Sequence, residues 1–290
     1  MKGEFTMDLW KSFLQILDTQ MNTPMPYGWF HLLTLGLTIL ATFFLCIRGR
    51  HHSSAQIRSV VLGTAVTVAL LELFKQINYT FSLQGDRVVA DYQWYAFPWQ
   101  FCSTPMYAGL LAGLTRKGRL HDALYAYLAT YSIFAGVCVM LYPVTIFTAT
   151  ASINIQTTFC HGSMIAVGSY LLATGYVRLE RQTLYKALPV FLCGVLIAIL
   201  LNEGAYFSGL LATDEFNMFF ISRHCPPSLP VYSLIQEILP YPWCLLIYVT
   251  AFTAAAGLML LAAVGIRQLV RLPRASFLRK PPFVRRKAHT

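Results

Sequence analysis

Seven predominantly apolar stretches of about twenty residues each run through this chain of 290 residues, at 28–47, 57–77, 94–114, 123–142, 157–177, 185–206 and 239–265. Stretches of that length match the hydrocarbon thickness of a bilayer, where every backbone amide must be satisfied within its own segment or a closed barrel. The expected fold class is therefore all-α: a polytopic membrane protein built as a seven-helix transmembrane bundle. The basic residues give it a direction. Of the 22 lysines and arginines, 17 fall in alternate connections and in the C-terminal tail, in the groups Arg48–Arg58, Arg116–Arg119, Arg178–Lys186 and Arg267–Lys287. The opposite side holds Lys2, Lys11, Arg87 and Arg223, and Lys75 lies inside a stretch. By the positive-inside rule the N-terminus is expected outside and the C-terminus in the cytoplasm.

Composition supports this reading and narrows the partners. The chain is 56% hydrophobic and only 12% charged, where a soluble domain carries about 25% charged residues. A net charge of +10 on such a chain points to membrane phospholipids and not to nucleic acid. The tail Arg267–Lys287 has no acidic residue, so it should be drawn to anionic lipid headgroups. Three segments follow: an extracytoplasmic amphipathic segment at 1–26, in which Phe5, Leu9, Phe13, Ile16 and Leu17 recur at helical spacing; a membrane domain at 27–265; and the basic tail at 266–290. Glu4 and Asp8 precede any apolar run, which does not fit a cleaved leader. Six of the seven cysteines, Cys46, Cys102, Cys138, Cys160, Cys193 and Cys244, lie in apolar stretches and imply no disulfide framework. The outer connection 207–237 is aromatic, apolar and proline-rich together, a composition that favours lid-like or re-entrant packing.

The polar residues inside the stretches carry the functional signal. With the expected orientation, His31, Glu72, Lys75, Gln76, Gln100, Cys102, His161, Asn202 and Glu203 all fall near the outer ends of five stretches, while the inner halves are apolar. Ionisable groups in a membrane cost on the order of 3 kcal/mol each, so they face a bundle interior or a wet cavity. A polar pocket open toward the outer leaflet is the consequence. Glu72, Lys75 and Gln76 share one helical face at spacings of three and four. They either neutralise one another as an ion pair, or Glu72 polarises an imidazole and Lys75 holds a lipid phosphate. Cys102 and His161 form the sharper pair, because a thiol becomes a useful nucleophile beside an imidazole base. Pro105, three residues after Cys102, is expected to kink that helix and open the pocket. No Gly-rich phosphate loop, no His-Glu-x-x-His, no Gly-x-Ser-x-Gly elbow, no zinc-spaced cluster and no arginine ladder occurs. No metal and no cofactor is expected.

The runs Phe30-His31-Leu32-Leu33, Glu72-Leu73-Phe74-Lys75-Gln76, Phe97-Pro98-Trp99-Gln100-Phe101-Cys102, Cys160-His161-Gly162, Asn217-Met218-Phe219 and Leu239-Pro240-Tyr241-Pro242-Trp243 together resemble the bacterial YwaF-like integral membrane proteins. That family is similar to the eukaryotic transmembrane protein 164 family of cysteine–histidine lipid acyltransferases. A more distant likeness runs to the androgen-induced hydrolases, which cleave lipid esters with a threonine and a histidine. The resemblance implies a multi-pass protein of the bacterial cytoplasmic membrane. It places the family histidine at His161 and adds Asn217 to the binding residues His31, Glu72, Lys75, Gln76, Gln100 and Asn202. Gln100 stands where YwaF-like proteins have a histidine. The eukaryotic relatives carry the reactive cysteine directly after the proline, at the position of Trp99. Either Cys102 substitutes from the next turn or the thiol chemistry is lost. The functions left open are a lipid acyltransferase or lipid-ester hydrolase acting at the outer leaflet, a small-solute or proton-coupled transporter, and a noncatalytic membrane protein.

Overall fold

The structure, a computed structural model, describes residues 2–143, 146–209, 215–225 and 230–271. The tail expected to meet anionic headgroups lies almost wholly beyond Arg271 and so outside the described residues. Ten α-helices and one hairpin are formed there: α1 (Lys2–Leu17), α2 (Trp29–Arg48), α3 (Ser54–Asn78), β1 (Phe81–Gln84), β2 (Arg87–Ala90), α4 (Thr104–Leu114), α5 (Arg119–Leu128), α6 (Tyr131–Leu141), α7 (Ala151–Ala173), α8 (Arg181–Ser208), α9 (Pro230–Ile238) and α10 (Tyr241–Arg271). The protein is an all-α, multi-pass membrane protein. Five helical segments among the described residues are long and apolar enough to cross a bilayer: α2, α3, α5 with α6, α8 and α10. Their outward faces remain apolar, as with Leu33, Leu37, Leu40 and Phe44 on α2 and Leu258, Leu261 and Leu269 on α10, which suits lipid and not water.

The two remaining apolar stretches fold differently from a simple span, for identifiable reasons. The stretch 94–114 is helical as an α-helix only over Thr104–Leu114. Pro98 holds Phe97 extended, at φ −50° and ψ 132°. Gln100 is extended as well, and Phe101–Ser103 forms one 3₁₀ turn. Pro105 sits in the first turn of α4, where its missing N–H costs nothing. The expected mid-helix kink at Pro105 is therefore a helix start, and Cys102 lies just before it. The stretch 157–177 falls in α7, whose buried face includes Asn154, Gln156, Thr158 and His161. Its polarity is tolerable because α7 is packed against α2, α3 and α6.

That central position depends on close approach. A Cβ on Gly162 would lie 2.5 Å from Thr38 Oγ1 of α2. One on Gly168 would lie 2.3 Å from Ile133 Cγ1 and 2.6 Å from the Leu128 carbonyl oxygen. The second contact is backbone and cannot rotate away. We expect Gly168→Ala to destabilise the bundle by about 1–3 kcal/mol, the usual range for overpacking, measurable as a lowered thermal midpoint in detergent; an unchanged midpoint would show that α5 and α7 can separate freely. α10 closes the bundle through an aromatic stack in which Phe191 lies 4.6 Å from Tyr131 and 5.8 Å from Phe252.

At the end of the bundle that carries the C-terminus of α3 and the N-terminus of α7, α1 and the hairpin form a cap. Gln84 pairs with Arg87 across a two-residue turn, with Gly85 at φ +61°, the geometry that a two-residue hairpin demands of its first central residue. Of the apolar stripe expected on α1, Leu17 is buried while Leu9 and Ile16 are exposed. Phe13 meets Phe74, and Trp10 meets Phe81 edge-on at 5.6 Å.

Candidate functional site

Glu72 is the centre of a buried polar cluster beneath this cap. One carboxylate oxygen accepts from Lys75 Nζ at 2.8 Å and from Gln76 Nε2 at 2.8 Å. The other accepts from Gln156 Nε2 of α7 at 2.9 Å. Gln76 Nε2 also donates to the Ala96 carbonyl, and Gln76 Oε1 accepts from the Tyr92 hydroxyl at 2.6 Å. Burial, with the Glu72 charge adding to it, pushes the Tyr92 phenol up to about 12, so Tyr92 keeps its proton for that bond at neutral pH. The carboxylate thus has three donors from two helices, which is how a membrane interior retains a charge. The ion pair weighed on the sequence is present, and the cluster extends beyond it.

His161 lies on α7 next to Cys160. Its Nδ1 is 2.7 Å from the Thr157 carbonyl oxygen. A carbonyl only accepts, so Nδ1 carries the proton and Nε2 presents a lone pair. Nε2 is buried with no protein partner, and it is the only such atom among the residues singled out on the sequence. Cys102 is half-buried on the 3₁₀ turn before α4, and its carbonyl oxygen faces the Cys160 thiol at 3.8 Å. Cys102 and Cys160 are both thiols outside any disulfide.

The remaining expected residues are engaged elsewhere. His31, fully buried, accepts from the Tyr27 amide on Nδ1 and donates from Nε2 to the Met140 carbonyl, both at 2.9 Å. It straps the start of α2 to the end of α6. Gln100, Asn202 and Asn217 hold the main chain of the long connection between α8 and α9. Gln100 accepts from the Phe219 amide and donates to the Asn217 carbonyl, while Asn202 makes the same two-way pairing with Met218. Asn217 Oδ1 accepts from the Ser222 amide. Met218, Phe219 and Ile221 are buried, and Phe219 and Phe220 both adopt φ +58°. Two successive left-handed residues without glycine cost about 1–2 kcal/mol each, and these amide latches offset that strain. The segment is a wedge set into the bundle.

Trp99, where the resemblance puts the relatives' cysteine, turns toward α8: its Nε1–H donates to the Gly194 carbonyl at 3.3 Å, and its ring packs on Tyr107 at 5.2 Å. Because 97–103 is not an α-helix, Cys102 is not one helical turn beyond it. Gln156 and Tyr92 were invisible on the sequence. Gln156 falls one residue before the apolar stretch 157–177, and its spacing of five from His161 does not put the two on one helical face. Tyr92 follows the hairpin and has no signature of its own. Among the described residues no group of histidine, cysteine or acidic side chains could hold a metal ion.

No curated protein and no solved structure matches this chain. The sequence model of the TMEM164 family matches residues 26–260, which takes in α2 to α9 and most of α10, and the chain belongs to that family.

Proposed function

We propose that the protein transfers or hydrolyses acyl groups of membrane lipid esters, with His161 as the base and Cys102 as the nucleophile. The supporting observation is the free, buried Nε2 of His161, oriented by Thr157, with Cys102 reached through the contact of its carbonyl with the thiol of the adjacent Cys160. The Cys102 thiol gives its proton to Nε2 as sulfur bonds to the ester carbonyl carbon. The carbonyl oxygen gains negative charge, which the Lys75 ammonium offsets. The ester C–O bond then breaks, and the departing alkoxide takes the proton from His161. An acceptor hydroxyl or water, deprotonated by His161, next cleaves the thioester, and the proton returns to sulfur.

In this reading α4 with its preceding turn and α7 complete seven crossings, the N-terminus is outside and the C-terminus cytoplasmic, and the Glu72 cluster lies at the outer leaflet of the cell membrane, where phospholipids are the substrates. Chains of the YwaF-like type are its expected kin. A transporter would need polar groups continuing from the cluster toward the opposite end. The cavity beside Cys160 is only about 30 Å³ and is walled largely by Val61, Val68, Met106, Leu128 and Met164.

The test is competitive alkylation of the protein in lipid nanodiscs. Cys102 should react about tenfold faster than the exposed Cys138 and Cys193, as expected of a thiol paired with a base, and phospholipid esters should turn over. Equal labelling of the three, with no turnover, would remove Cys102 as nucleophile.

A further inference from the structure

A cleft of about 660 Å³ lies between α4, α5 and α8. Its walls are apolar, formed by residues such as Leu111, Ala123 and Val190, and it runs along α8 from Lys186 to Ile197. That is about 16 Å of helix axis, half of the ~30 Å hydrocarbon core and so the depth of one leaflet. One end is charged: Arg119, Lys186 and Asp122 line it, leaving it with a net positive charge. Arg119 has no acidic partner among the described residues, and Lys186 meets Asp122 at a loose 3.4 Å. The other end reaches Trp99. A surface that is apolar for the depth of a leaflet and cationic at the headgroup level has one complementary occupant in a membrane.

We propose that this cleft binds an anionic glycerophospholipid as a resident lipid, with one acyl chain along α8 and the phosphate between Arg119 and Lys186. The lipid is not the substrate of the reaction proposed above. Its ester carbonyls lie beside its headgroup, at the Arg119 end, whereas Cys102 adjoins the far end through the Trp99–Thr104 segment. The inference stands independently of the acyl-transfer reading.

Native mass spectrometry of the purified full chain with phosphatidylglycerol or phosphatidylcholine of matched chains tests it. The wild type should retain phosphatidylglycerol on the order of tenfold more tightly, about what the net positive charge of that end provides beside a phosphate. Arg119→Gln/Lys186→Gln should hold both lipids equally, and Ala123→Phe, which fills the cleft, should lose the bound lipid of either kind while keeping the wild-type thermal midpoint. All variants keep the basic tail. A preference that survives in the double variant therefore belongs to the tail and overturns the proposal, as does full occupancy in Ala123→Phe or a wild type without preference.

Discussion

Replacing His161 by glutamine is expected to lower lipid-ester turnover by about 10²–10⁴-fold, the range that a positioned general base supplies, while the thermal midpoint stays near the wild-type value. The reasoning rests on how few bonds the imidazole makes. Its single recorded protein hydrogen bond is to the carbonyl of Thr157, one turn earlier on the same helix. A glutamine amide can donate to that oxygen and fill most of the ring's volume, so packing of α7 against α2 and α6 survives. What it lacks is a basic nitrogen at the position of Nε2. The loss should appear in kcat with little change in KM, because a base acts in the transition state and not in lipid binding. A structural histidine would give the opposite pattern, with a lowered midpoint and activity per folded molecule intact. A variant that is both stable and fully active would make His161 a core residue and end the acyl-transfer mechanism.

The contrast between His161 and His31 shows what could be read from the chain. Both are histidines near one end of an apolar stretch, and the physics of a buried polar group says only that each needs a partner. His31 finds two, on the Tyr27 amide and the Met140 carbonyl, and the second is 109 residues away. No local pattern encodes that. Gln100, Asn202 and Asn217 behave alike: their amides hold a wedge of backbone whose left-handed residues, Phe219 and Phe220, have no glycine to announce them. Hydropathy located the long helices because lipid-facing residues are constrained all along their length. It located α7 as well, although α7 is polar enough to fall outside the five most apolar segments. The break over residues 97–103 was marked by Pro98 and Pro105, yet two prolines about seven residues apart fit an interior kink and a late helix start equally well. The hairpin turn Gly85-Asp86 is written in the sequence between Phe81-Ser82-Leu83 and Val88-Val89-Ala90, a short alternating pattern set between two long apolar stretches.

Glu72 should be the most costly residue of the cluster to remove. Glu72→Ala is expected to destabilise the protein by about 3–5 kcal/mol, the penalty for leaving one member of a buried ion pair alone, and to lower the thermal midpoint on the order of 10 °C. Three donors lose their acceptor at once: Lys75 Nζ, Gln156 Nε2 and one of the two bonds of Gln76 Nε2. The Lys75 ammonium suffers most, since Glu72 is its only ion-pair partner among the described residues and its side chain is 16% exposed. Discharging the pair should therefore restore most of the loss. In Glu72→Gln/Lys75→Met no buried charge remains, the amide oxygen introduced at position 72 can still accept from Gln156, and the methionine chain fills the space of the lysine stem. The double variant should melt within a few degrees of the wild type, with a coupling energy of about 1–3 kcal/mol between the two positions. Additive losses would mean that Lys75 reaches water and that Glu72 acts through Gln156 alone. Activity separates stability from chemistry in the same variants. The double variant should be folded yet slow, because the cation proposed to offset the oxyanion is gone, whereas a purely structural ion pair predicts a folded protein at full rate.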